Sequence, residues 1–243
     1  MKTSFHFLLI AFILQNLNAF SQDPVLLKDI HPTFGSSPAN YVEFNGNTYF
    51  TANDGATGNE LWITDGTELG TQLLKDINTG VNSSNPTSLK GAASTLYFFA
   101  NDGIAGNEIW SSDGTTLGTN GLSNLNPGGS GQPLSTTLTE YEGKVYFQGQ
   151  GPSSSGKELY AADQIGATLF DLFPGSGSSE PANMITFNNN LFFVANGLTG
   201  SIGREWWSTD GITASIVKDL NPDPFQGSIL FGVPSSIVFN GLL

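Results

Sequence analysis

The chain has 243 residues, among them 30 glycines and 18 phenylalanines, with a formal net charge of -13 and no cysteine. Few charges, many aromatic rings and abundant glycine suit an all-β protein with tight turns rather than a disordered chain. The negative field repels phosphate backbones, so nucleic acid is not an expected partner, and without thiols there is no disulfide framework, cysteine nucleophile or lipoprotein anchor.

In chain order, the first predicted element is an export signal. Lys2 is its basic flank, Phe7 to Leu14 its apolar run, and Ala19 and Ser21 its small residues at peptidase spacing. Residues 1-21 read as the leader and 22-243 as the mature domain, with cleavage after Ala19 as the alternative. The run is too short to cross a bilayer, so the expected location is secreted or cell-surface, with no membrane insertion after cleavage.

Next comes a pattern that returns. Leu27-Lys28-Asp29-Ile30 recurs as Leu74-Lys75-Asp76-Ile77, then as Asn124-Leu125, Asp171-Leu172 and Asp219-Leu220, at steps of 47 or 48 residues. After each anchor lies a turn-rich loop such as Pro174-Gly175-Ser176-Gly177. A β-hairpin follows, clearest at Tyr41-Val42-Glu43-Phe44, Asn45-Gly46 and Thr48 to Ala52, where Asn-Gly fits a type I′ turn. Asn188-Asn189 and Asn240-Gly241 offer the same turn. Its second strand carries adjacent large residues (Tyr49-Phe50, Tyr97-Phe98-Phe99, Tyr146-Phe147, Phe192-Phe193). Neighbours on a strand face opposite ways, so both faces of the sheet must be covered. Glu60-Leu61-Trp62 predicts a third strand and Gln72 to Ile77 a fourth.

Four short antiparallel strands per unit, buried on both faces, predict a β-propeller, with an open solenoid as the alternative. The units read as about 25-71, 72-119, 120-168 and 169-215, with a partial unit at 216-243. The expectation is four complete blades plus partial terminal strands in a truncated, unclosed propeller. A face left open over about 400 Å² would forfeit about 10 kcal/mol of burial, so the chain is expected to need the remainder of its propeller or to self-associate.

The string Glu60-Leu61-Trp62-Ile63-Thr64-Asp65-Gly66-Thr67 returns as Glu108-Ile109-Trp110-Ser111-Ser112-Asp113-Gly114-Thr115. Worn copies follow at Glu158, Tyr160 and Asp163, where Gln164 replaces the turn glycine, and at Glu205, Trp207, Asp210 and Gly211. These strings resemble the ELWxxDGT repeat family of secreted bacterial proteins, with Kelch-like blades, over residues 25 to 243. The resemblance implies an exported surface or extracellular protein.

The repetition bears on the chemistry. Paired glutamates are the acids of glycoside hydrolysis, but Glu60, Glu108, Glu158 and Glu205 stand at one equivalent place in four units. They read as structural acceptors, and Asp65, Asp113, Asp163 and Asp210 as turn caps. Trp62, Trp110 and Trp207 read as blade packing before sugar stacking. The loops Asn53-Asp54-Gly55 and Asn101-Asp102-Gly103 offer oxygen ligands to calcium but no recognised cage, so no cofactor is expected and calcium alone stays open. His31 takes a loop position held elsewhere by Asn78 and Asn126, and Gly149-Gln150-Gly151 reads as a loop. A singular site is expected at Arg204 with Trp206, or in the diverged stretch 148-157.

The functional expectation is a non-catalytic extracellular module that binds protein or glycan, and not an enzyme. The alternatives are a structural spacer within a larger surface protein, or a propeller glycosidase or lyase.

Overall fold

A computed structural model describes residues 25-126, 137-151, 156-197 and 203-218. The leader at 1-21 and most of the partial fifth unit lie outside these residues. The fold is a β-propeller of four four-stranded antiparallel blades, each made by one continuous pass of chain. The first blade holds β1 (Ala39–Phe44), β2 (Asn47–Asn53), β3 (Asn59–Thr64) and β4 (Gln72–Lys75). In the second are β5 (Thr87–Ala92), β6 (Thr95–Asn101), β7 (Asn107–Ser112) and the two-residue β8 (Asn120–Gly121). The third has β9 (Thr139–Tyr141), β10 (Lys144–Gln150), β11 (Lys157–Ala162) and β12 (Ala167–Phe170). The fourth comprises β13 (Ala182–Phe187), β14 (Asn190–Asn196), β15 (Arg204–Thr209) and β16 (Ala214–Lys218).

Turn chemistry closes each blade's first hairpin. Asn45 and Gly46 take φ of 49° and 79°, the two positive values a type I′ turn needs, and Asn188 and Asn189 do the same with 44° and 56°. In the third blade Glu142 and Gly143 fill these places, at 49° and 76°. Ahead of that hairpin β1, β5 and β13 each break register, and Asn40, Ser88 and Asn183 sit at the breaks with φ near +55°. The bulge bends the first strand of the blade. First strands of successive blades lie side by side, β1 by β5, β5 by β9 and β9 by β13, which puts them at the axis.

Alternation along the strands assembles the core. Tyr49, Leu61 and Ile63 on one face of the first blade meet Leu96, Phe98 and Trp110 of the second. From its other face the second blade sends Tyr97, Phe99 and Ile109 against Val145, Phe147 and Tyr160 of the third. Tyr146, Leu159 and Ala161 of the third then meet Leu191, Phe193 and Trp207 of the fourth. Adjacent large residues thus serve two junctions at once, and three apolar seams hold the blades together.

One expectation fails locally. Gly149 and Gln150 are not loop but the end of β10, in register with Glu158 and Lys157. The ring of Tyr160 lies where a side chain at Gly149 would stand, its Cδ2 only 2.4 Å from that Cβ position, so the glycine serves close packing within a strand.

Candidate functional site

The repeated glutamates begin the third strands and are sealed inside the blades. Glu60 is fully buried and accepts hydrogen bonds from Ile77 N at 3.0 Å, Ser84 N at 2.7 Å and Ser84 Oγ at 2.5 Å. Glu158 repeats the arrangement with Leu172 N, Phe173 N, Ser179 N and Ser179 Oγ. Glu108 accepts from Leu125 N at 3.0 Å, and Glu205 is likewise buried. Glu60 and Glu158 therefore each tie their strand to the exit of the fourth strand and to the loop entering the next blade. Burial raises the pKa of Glu60 and Glu158, and their hydrogen bonds only partly oppose it. No substrate reaches these oxygens.

The aspartates shape the turns between third and fourth strands. Asp65 Oδ1 accepts from Thr67 N at 2.9 Å and Thr67 Oγ1 at 2.7 Å, and Asp113 does the same with Thr115. These bonds, and those that Asp210 Oδ1 accepts from Thr213 N and Ile212 N, hold the carboxyls of Asp65, Asp113 and Asp210 below the ordinary range. Asp163 caps Ile165 N and pairs with Lys144 at 3.5 Å on the surface. Gly66, Gly114 and Gly211 follow at φ between 86° and 93°, a region that side chains avoid. In the third blade Gln164 occupies that place and donates to Thr95 Oγ1 across the junction.

The aromatic residues are packing groups. Trp62, Trp110, Tyr160 and Trp207 are all buried, and Trp207 Nε1 donates to Ala195 O at 3.2 Å. His31 fills the place that Asn78 holds one unit later: His31 lies over Gly55 and Asn78 over Gly103, and its Nδ1 accepts from Phe34 N. Asp54 spends Oδ1 on Ala56 N, Thr57 N and Thr57 Oγ1 within its own loop. Arg204 is half-buried, and its pKa is lowered by desolvation against the opposing pull of Glu180. Trp206 beside it is half-exposed.

Sequence reasoning missed the pairing of tyrosine with aspartate at the junctions. Tyr49 stands near Asp113, Tyr97 near Asp163 and Tyr146 near Asp210, each tyrosine on one blade and each aspartate on the next. Burial and these negative neighbours raise all three phenols, Tyr146 to about 12, and its hydroxyl is without a hydrogen-bond partner. The missed signal is register: each tyrosine lies one blade ahead of the aspartate it faces.

Two clefts open at this rim. One, of about 320 Å³, lies between the second and third blades, lined by Thr95, Ser112, Asp113, Asn120, Gln164 and Ile165 among others. The other, of about 450 Å³, lies on the first blade by Glu43, Phe44, Asn47, Thr64 and Asp65. Among the described residues no three His, Asp or Glu side chains converge as a metal cage.

No family profile matches the chain, and no curated protein matches it. Solved structures do. Puromycin hydrolase bound to PGG is 15% identical, over 79% of this chain and 30% of that one, with a TM-score of 0.47. The GH43B protein of the Bacteroides ovatus xyloglucan PUL is 13% identical over 80% and 42%, at 0.36. An α-L-arabinofuranosidase from Clostridium thermocellum is 16% identical over 78% and 71%, at 0.32. The chain thus spans less than half the length of the first two. These are structures of enzymes, and that corrects the expectation that the chain is not an enzyme. Repetition shows that the repeated positions are structural, and it says nothing about residues that occur once.

Proposed function

We propose that this chain is the propeller part of an exported carbohydrate-active protein that holds a glycan segment in the cleft between the second and third blades. One observation carries the reading: a cleft of about 320 Å³ whose walls combine hydroxyls (Thr95, Ser111, Ser112), amides (Asn120, Gln164) and the ionised Asp113. Convergent hydroxyl, amide and carboxylate groups are the complement of a sugar's hydroxyls. Gln164 makes the cleft singular, since the first, second and fourth blades carry glycine there. The likeness of the repeated strings to ELWxxDGT proteins supports an extracellular setting.

Glycoside hydrolysis is the chemistry proposed for it. The four repeated glutamates are engaged inside the blades, so the acid and base are sought among carboxylates that occur once. Glu43 and Glu140 lie at one register of the axial strands β1 and β9, opposite Thr48 and Val145, where the other blades carry Gly91 and Thr186. Hydrolysis requires two acids at one glycosidic bond. Glu43 lines the first blade's cleft and neither acid lines the cleft between the second and third blades, so a glycan held there must run on across the axial strands to meet them.

The test is reducing-end release from a polysaccharide panel, with binding to the same glycans by calorimetry. Release that falls at least about 100-fold in Glu43→Gln and Glu140→Gln supports hydrolysis. Binding that Gln164→Gly weakens, without release, returns adhesion as the function, and neither binding nor release defeats the proposal.

A further inference from the structure

The first blade's leading side, turned away from the second blade, carries half of a junction. Residues 25-30 read Val-Leu-Leu-Lys-Asp-Ile and match Gln72 to Ile77. The match extends to contacts. Lys28 Nζ donates to Thr71 O at 2.6 Å and Glu68 O at 3.5 Å, and Lys75 Nζ donates to Thr119 O at 2.6 Å and Thr116 O at 3.3 Å. Segment 25-30 therefore stands toward the first blade as β4 stands toward the second. Yet β4 pairs with β3 of its own blade, whereas segment 25-30 belongs to none of the four sheets. Leu74 is 4% exposed, and its counterpart Leu27 is 41% exposed.

A second imprint lies nearer the rim. Tyr49 Oη comes within 2.7 Å of where a Cβ would stand on Gly114, and Tyr146 Oη within 3.2 Å at Gly211. At Gly66 nothing lies within 4 Å. The cleft of about 450 Å³ occupies that place, and none of the six tyrosines of the chain lines it.

We propose that segment 25-30 and this cleft are the receiving half of a blade junction. Its occupant is the three inner strands of one further blade of the same kind, supplied from outside residues 25-218 and presenting a tyrosine to Asp65. Its third strand pairs with segment 25-30 and covers Leu26 and Leu27. A second copy of this chain does not match, because the outward side of its fourth blade carries Phe192 at the tyrosine register and so brings no hydroxyl. Filling the junction gives Glu43 the surroundings of Glu140, which stays half-exposed beside the second blade. The inference thus stands apart from the glycan reading.

The test extends the full chain ahead of Val25 with a duplicate of residues 31-71, so that segment 25-30 becomes the fourth strand of the added blade. Amide exchange at residues 26-30 is expected to slow at least about tenfold. The single cooperative melt is expected to rise by more than about 4 °C, and Tyr49→Phe in the duplicate to lose part of that rise. Unchanged exchange at 26-30, or a separate melting step for the duplicate, overturns the proposal. The unextended chain provides a second reading: Leu27→Asp should move Tm by less than about 1 °C where Leu74→Asp causes unfolding. Equal losses from the two variants would show that segment 25-30 already has its full packing, and would also overturn it.

Discussion

The second and fourth blades have the same strand order and nearly the same pattern of large residues, yet they bury them differently. In β6 every residue from Thr95 to Ala100 is buried, because blades stand on both sides. In β14 and β15 burial is less complete, and Phe192 and Trp206 of the outward face are half-exposed while Phe193 and Trp207 of the inward face are sealed. In the fourth blade the period-two alternation follows from one covered face, and in the second blade its loss follows from two. What a phenylalanine contributes here depends on the neighbouring blade more than on its own strand.

That contrast can be broken or sharpened by substitution. Phe98→Ala removes a fully buried ring from the seam between the first and second blades and should cost about 3 to 5 kcal/mol in chemical denaturation. Glu158→Gln leaves the clasp with a poorer acceptor for four donors, and a loss of about 2 kcal/mol is expected by the same measurement. Gly91→Ala tests packing from the opposite direction. A Cβ there would lie 2.2 Å from the Phe44 ring of the first blade, so about 1 to 3 kcal/mol should be lost. Phe192→Ala, the partner of the first test, should cost only about 1 kcal/mol. If Phe98→Ala and Phe192→Ala had equal effects, the fourth blade would be covered as fully as the second.

The smallest effect is on pH. Glu60 and Glu158 hold protons more tightly folded than unfolded. From the ordinary 4.5 up to their raised values the folded state carries the extra protons, so stability should fall as pH rises through that window and level off above it. Asp54, Asp65, Asp113 and Asp210 act in the other direction, contributing stability above 3.8 that is lost as pH falls through their lowered values. Calorimetric Tm should therefore peak on the acid side, and Glu158→Gln should flatten the descent above the peak.

Much of the fold could be read from local chemistry. The pair Asn45-Gly46 dictates its own turn, and adjacent aromatic residues in the second strands declare two covered faces. The bulges at Asn40, Ser88 and Asn183 could not be read, since three different contexts share only a backbone angle. Nor could Ala93, at a φ of 50°, be recognised as a turn residue from its side chain. The site was less legible still. The motif puts a glutamate at the start of each third strand, but its partners lie 14 to 24 residues downstream. The cleft between the second and third blades joins Asp113 to Gln164, and only the folded junction brings those two together.

The glutamate clasp also sets an order in time. Glu60 closes on Ser84 and Glu158 on Ser179, always residues that follow, at separations of 24 and 21. On a chain emerging amino end first, a finished sheet stays unlatched until the opening stretch of its successor arrives. The first and third blades are then secured by the birth of the next, so a pause in synthesis leaves the most recent of these sheets open to proteases.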